Sequence, residues 1–175
     1  MIGGLVLLLT GGDDNSDSRA AASAQTVQLQ DKFLNQTVVD ADKGISVRRP
    51  GDWSHTKSHG VITLRSRDRC LAMTLSAPRP AGQAKRLRSD SAALFKRSYE
   101  SAQLRPAPGA QVGGIPTTSD TIGFTDQKGN PIRVLLSVGT GQKYAYLTEI
   151  VVENPRCQGD LQLAQVALSS IQYTK

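Results

Sequence analysis

"GISVRRPGDWSHTKSHGVITLRS", Gly44 to Ser66, is the stretch on which the fold turns. Ile45 and Val47 alternate with Ser46 and Arg48, Pro50-Gly51 ends the run, a lone Trp53 follows, and a second alternating run opens at Val61. Period-two apolar spacing closed by Pro-Gly marks a half-buried strand entering a turn. His55 and His59 stand between the two runs at a spacing that, on a helix, would bring both imidazoles to one metal. They lie instead in a Ser/Gly-flanked segment with no carboxylate motif beside them. The expectation is therefore an opening hairpin with an exposed histidine pair, and a Trp53 side chain that closes one end of the core.

Outward from this stretch the chain continues in the same idiom. Val61 to Ser66 and Cys70 to Ala77 form two strands joined across Arg67, Asp68 and Arg69, short enough for an antiparallel hairpin. Between Ala84 and Ala102 the period changes to 3.6, with Leu87, Ser91, Leu94, Phe95, Ser98, Tyr99 and Ala102 on one side of an amphipathic helix. "RPAPGAQVGGIP" is a Pro/Gly-rich linker that cannot continue it. Three strands then follow as a meander, with turns at "DQKGNP" and "GTGQ"; Ile132, Val134, Leu136 and Val138 alternate in the middle one. A last helix runs through Leu163, Val166, Ala167, Ser170 and Ile171, with Asp160 as its N-cap. The order is β-β-β-α-β-β-β-α, an α+β domain with a mostly antiparallel sheet flanked by helices.

The chain has 175 residues and 38% hydrophobic content, enough for one core and an appendage. Three segments are expected: residues 1–12 as part of a membrane anchor or signal segment, 13–43 as a polar linker, and 44–175 as the globular domain. "MIGGLVLLLTGG" is apolar but shorter than the roughly 20 residues that cross a bilayer, and it lacks a basic flank. It is read as the outer end of a transmembrane helix whose remainder lies upstream. "AAASAQ", Ala20 to Gln25, also suits a signal peptidase, so anchoring and release both stay open. Either way the domain is expected outside the cytoplasm, on the outer side of the cell membrane or secreted. There the two cysteines, Cys70 and Cys157, are expected to pair as a disulfide; in a cytosolic protein they would be reduced core residues.

The net charge of +6 is concentrated. Residues 45–105 hold 13 Lys/Arg against 4 Asp/Glu, residues 1–44 hold 3 against 6, and residues 106–175 hold 5 against 5. The cations are interleaved with strand positions and aromatics are scarce, which argues against nucleic acid. An anionic cell-envelope surface or a protein partner suits such a face better, and a merely solvated face with no ligand is the alternative to both. The candidate basic face is Arg48, Arg65, Arg67, Arg69, Arg86 and Arg88.

Several local patterns resemble the PsbP-like α/β/α sandwich family. They are the strand-Pro-Trp opening "GISVRRPGDW", the bend "VGGIPTTSDTIGF", the aromatic strand "KYAYLTEIV" and the terminal helix "LQLAQVALSSIQ", together covering about 130 residues from Gly44 onward. That family includes the extrinsic protein P of photosystem II, a Ran-binding nuclear import factor and exported bacterial lipoproteins of the LpqN type. The resemblance implies a module that binds partners or assists assembly, with no shared catalytic apparatus, no cofactor and no family-wide site residues to carry across. The import-factor role would need an acidic surface where this domain is basic.

There is no G-x-S-x-G elbow, no P-loop and no C-x-x-C metal spacing. The expected function is thus a non-catalytic, membrane-tethered extracytoplasmic binding or assembly module without metal or cofactor. The competing readings are a small metal-dependent hydrolase using His55 and His59, and a nucleic-acid-binding domain.

Overall fold

The computed structural model describes residues 33–109, 111–153 and 157–173. The central element is a large antiparallel sheet in the order β3-β4-β5-β11-β10-β9-β7, whose members are β3 (Ser54–Ser58), β4 (Val61–Arg65), β5 (Leu71–Ser76), β7 (Gln103–Ala107), β9 (Ile115–Thr125), β10 (Pro131–Thr140) and β11 (Tyr144–Val152). Two short strands are appended, β6 (Arg79–Pro80) on β11 and β8 (Gln111–Val112) on β9. Helix α1 (Ala84–Ser98) covers one face. Helix α2 (Gln158–Ser169) lies over the other, beside a small sheet of β1 (Gln36–Asp40), β2 (Ile45–Arg49) and β12 (Gln172–Tyr173). The result is an α+β sandwich with a mostly antiparallel sheet between helices, as the periodicities require.

Alternation along the strands sorts two cores to the two faces. Ile122 and Phe124 of β9, Ile132, Val134, Leu136 and Val138 of β10, and Leu147 of β11 pack under Ala92 of α1. Tyr99 stacks on Phe124 with ring centroids 3.9 Å apart and closes the C-terminal end of that layer. The second core joins Ile62, Leu64, Leu71, Met73, Leu75 and Ile150 of the large sheet to Val38, Ile45 and Val47 of the small one, and to Ala164, Ala167 and Leu168 of α2. Trp53 belongs to it at 2% exposure, the plug its position after a strand implies.

The expected hairpin exists, but with different partners. β2 pairs with β1 and β12, whereas Val61–Arg65 pairs with Ser54–Ser58, so His55 sits on strand β3 and not in a turn. The two-residue turn is His59-Gly60, with φ of 50° and 75°, the left-handed pair that a tight hairpin of this kind demands. β3 carries no strand signal in the sequence because it is the sheet's edge and every one of its residues is exposed, leaving no apolar alternation. The Pro-Gly bend before it is built on Arg49. This guanidinium is buried and donates to the carbonyls of Pro50 (2.9 Å), Gly51 (3.3 Å) and Trp53 and to the side-chain oxygen of Gln36. Those oxygens make its burial tolerable without a carboxylate.

Other expectations need correction. Strand β1 and the buried Leu34 lie within the stretch read as polar linker, where Val38 supplies one inward side chain. Helix α1 ends at Ser98, and Leu94, placed on its inner side by periodicity, is 56% exposed while Ala92 is buried. The supposed Pro/Gly linker opens with strand β7, whose Pro106 is tolerated because β7 is an edge. Cys157, not Asp160, is the N-cap of α2, and Asp160 lies in the first turn. The expected transmembrane helix is overturned: among the described residues no helix is long and apolar enough to cross a membrane. The apolar run Met1 to Leu9 and the Ala20–Gln25 site lie outside the described residues.

Candidate functional site

The two faces of the large sheet are not equally covered. α2 packs on β2, β5 and β8 and has little contact with β10, β9 and β7, part of which stays bare on this face. That bare area is the floor of a groove of about 840 Å³. One wall is the start of α2, with Cys157 and Leu161, together with Val152 of β11; the end of β7 at Ala107 and the following Pro108 form a rim.

Strand pairing fixes the floor. Gln103, Gly123 and Arg133 lie opposite one another across β7, β9 and β10, and the row continues to Val152. The next row is Arg105, Thr121 and Leu135, continuing to Ile150. Residues directly opposite in antiparallel strands point to the same face, so each row runs from apolar groups under α2 to polar groups in the open half. A third row, Ser119, Ser137 and Thr148, is buried and satisfied internally: the two serine hydroxyls are 2.9 Å apart.

Arg105 and Arg133 are exposed at the groove, and no Asp or Glu belongs to its lining. Arg105 meets only the Gln103 side-chain oxygen, at 3.4 Å, and neither arginine has a carboxylate partner among the described residues. At Gly123 a Cβ would meet nothing within 4 Å. The groove therefore combines an apolar wall, a hydroxyl- and amide-bearing floor and two cations that no described carboxylate neutralises.

The six arginines of the expected basic face are spread over three places. Arg48 is on β2 in the small sheet, half-buried, donating to the Leu34 carbonyl at 2.7 Å. Arg65, Arg67 and Arg69 cluster at the β4–β5 turn, with Arg65 3.8 Å from Glu153. Arg86 and Arg88 are on α1, the first paired with Asp90 at 3.3 Å. Arg88 reaches through to Asp120 of β9, which is 1% exposed, with nitrogen–oxygen distances of 2.5 and 2.6 Å. The hydrogen bonds to Asp120 hold the Arg88 guanidinium protonated still further above its usual range. This is a clamp between helix and sheet.

On the same face, burial pushes the Glu149 carboxyl up, opposed by hydrogen bonds from Thr74, at 3.3 Å, and Ser91. Near α2, burial and the neighbouring Asp68 and Asp52 raise Asp160, while the Trp53 indole lowers it by donating a hydrogen bond. Asp68 is held low by the Ser66 hydroxyl, at 2.7 Å, and the Cys70 amide.

Cys70 and Cys157 are joined in a disulfide, with Cα atoms 6.2 Å apart. It ties the β4–β5 turn to the start of α2 and so fixes the groove wall. Among the described residues the one group of three His, Cys, Asp or Glu close enough to share a metal is Asp68, Cys70 and Cys157, and the disulfide occupies both sulfurs. His55 and His59 are exposed, with the His59 ring 2.7 Å from the Ser58 hydroxyl; neither lines the groove.

Neither a family model nor a curated protein sequence matches the chain. Solved structures share its fold. A Bacteroides thetaiotaomicron protein aligns at TM-score 0.56 and 15% identity over 82% of this chain and 50% of its own, so this chain spans half that protein's length. Cyanobacterial PsbP (CyanoP) from Synechocystis aligns at 0.52 and 15% identity, covering 79% of this chain and 91% of its own. The Saccharomyces cerevisiae Ran-binding protein Mog1p aligns at 0.56 and 10% identity, over 81% and 97%. The architecture is thus the PsbP-like α/β/α sandwich, the fold that the strand-Pro-Trp opening and the terminal helix imply.

Proposed function

We propose that this domain is a non-catalytic binding module that holds a protein partner in the groove between α2 and the open half of the large sheet. The observation that carries the proposal is the bare sheet floor, with Arg105 and Arg133 unneutralised by any described residue beside an apolar wall. Concave sites of this size, mostly apolar with a few convergent polar groups, are where proteins take ligands. That Mog1p, a neighbour in fold, is a Ran-binding protein favours a polypeptide partner. The separation of the exposed histidines from the groove favours binding over catalysis. The disulfide favours an oxidising compartment outside the cytoplasm.

The test is selection of a randomised peptide library on disulfide-intact protein. The expected result is a set of binders that lose affinity with Thr121→Trp, which fills the groove from its floor, and keep it with His55→Ala and His59→Ala. A library that returns no binder sensitive to Thr121→Trp refutes the proposal.

A further inference from the structure

A glycine inside a strand normally has a backbone reason to be there: a left-handed φ, a bulge, or a close neighbour that excludes a Cβ. Gly113, in the turn between β8 and β9, shows such a reason, with φ +57° and a Cβ position 2.3 Å from the Ile171 carbonyl oxygen. Gly123 has none of these. It is paired on both sides within β9, has no left-handed φ, and would place a Cβ in open space. A glycine there weakens an interior strand and contributes nothing to packing. What its missing side chain does provide is a depression in the groove floor, flanked by Gln103 in its own row, Arg133 opposite on β10, and Arg105 one row along on β7.

The two arginines stand two strand spacings apart, roughly 10 Å, and differ by one row. Their long stems let both guanidiniums approach the space over Gly123, where no carboxylate of the described residues competes for them. A guanidinium pair above an open glycine matches a carboxylate, which accepts planar paired N–H groups. The amide of Gln103 and the hydroxyl of Thr121 supply further donors beside it. The floor along β9 from Thr121 to Thr125 is roughly 15 Å long, the reach of about five extended residues.

Taking the groove as the partner site proposed above, we infer that it holds an extended acidic segment of the partner, with one Asp or Glu carboxylate seated over Gly123 between Arg105 and Arg133. Gly123 is then the specificity-determining position, since any side chain there occupies the carboxylate's seat.

The experiment uses the peptides selected on the whole, disulfide-intact protein and measures their affinity by fluorescence anisotropy. The expected sequences are rich in Asp and Glu. Arg105→Gln and Arg133→Gln each weaken them about tenfold or more. Gly123→Val abolishes binding while the melting temperature stays at or above that of the wild type, because valine suits a strand and its Cβ meets nothing within 4 Å. Arg67→Gln, outside the groove, changes nothing. Selected peptides that are neutral or basic, or that ignore both arginine substitutions yet are blocked by Thr121→Trp, overturn the acidic assignment and leave the partner groove standing. Peptides indifferent to Thr121→Trp remove both. Inorganic phosphate that competes as well as the best acidic peptide reassigns the seat to a small anion and also overturns the inference.

Discussion

Arg88 can be either a solvated arginine on a basic helix or a structural strut, and one substitution separates the two. In Arg88→Met the carboxylate of Asp120, 1% exposed, loses both nitrogen donors that approach it at 2.5 and 2.6 Å. Orphaning a fully buried charge costs about 3–5 kcal/mol. The Arg88 side chain is 37% exposed, so water already screens the pair and the lower end, about 3 kcal/mol, applies. The reverse substitution is milder. Asp120→Asn keeps the shape and one acceptor, and the released guanidinium turns to solvent from α1, so the cost is about 1–2 kcal/mol. The double variant carries no buried charge and should lose less than the two single losses combined, a coupling of about 1 kcal/mol or more. Urea unfolding followed through the fluorescence of Trp53 measures all four proteins. A cost for Arg88→Met within about 0.5 kcal/mol of zero, with additive singles, would refute the strut.

Three further outcomes are expected. Replacing both Cys70 and Cys157 with alanine should destabilise the domain by about 4–5 kcal/mol on the chain-entropy account, because the closed loop spans 87 positions; guanidinium unfolding with and without reductant checks this, and a difference below about 1 kcal/mol contradicts it. For Glu149, burial raises the folded pKa, so its proton contributes stability below the unfolded value near 4.3 that is lost as pH rises through the folded value; Glu149→Gln should flatten that decline in urea midpoints, and a wild-type profile already flat there argues against it. Gly113→Ala should cost at least about 1–2 kcal/mol for its left-handed backbone, beyond the clash with Ile171, while Gly123→Ala is neutral or stabilising; equal thermal shifts for the two would be inconsistent with their different surroundings.

The fold was legible where elements bury one face. β10 alternates Ile132, Val134, Leu136 and Val138, and the structure pairs it with β9 and β11 as the turn residues imply. β3 and β7 left no such trace. One is exposed throughout, and the other carries a proline that an interior strand would exclude. The groove had a signal of its own, in the second faces of strands otherwise read for their first. Central strands of a sandwich covered on both sides should be apolar on both. β10 offers Arg133 there and β9 offers Thr121 and Gly123, whereas Ser119 and Ser137 are polar but buried against each other. A charge or a glycine alternating with a sound apolar set marks the stretch of a strand that is covered on one side only. The six arginines chosen by local charge density could not be sorted in the same way, since whether an arginine is paired depends on partners such as Asp120, distant in sequence from Arg88.

Because Cys70 and Cys157 bracket β5 through β11 together with α1, most of the large sheet lies inside one covalent ring. A protease that cuts the exposed loop between β9 and β10 therefore opens the ring without releasing a piece. The product gains one water in mass, stays a single species on a non-reducing gel, and separates into two fragments only when a thiol is added.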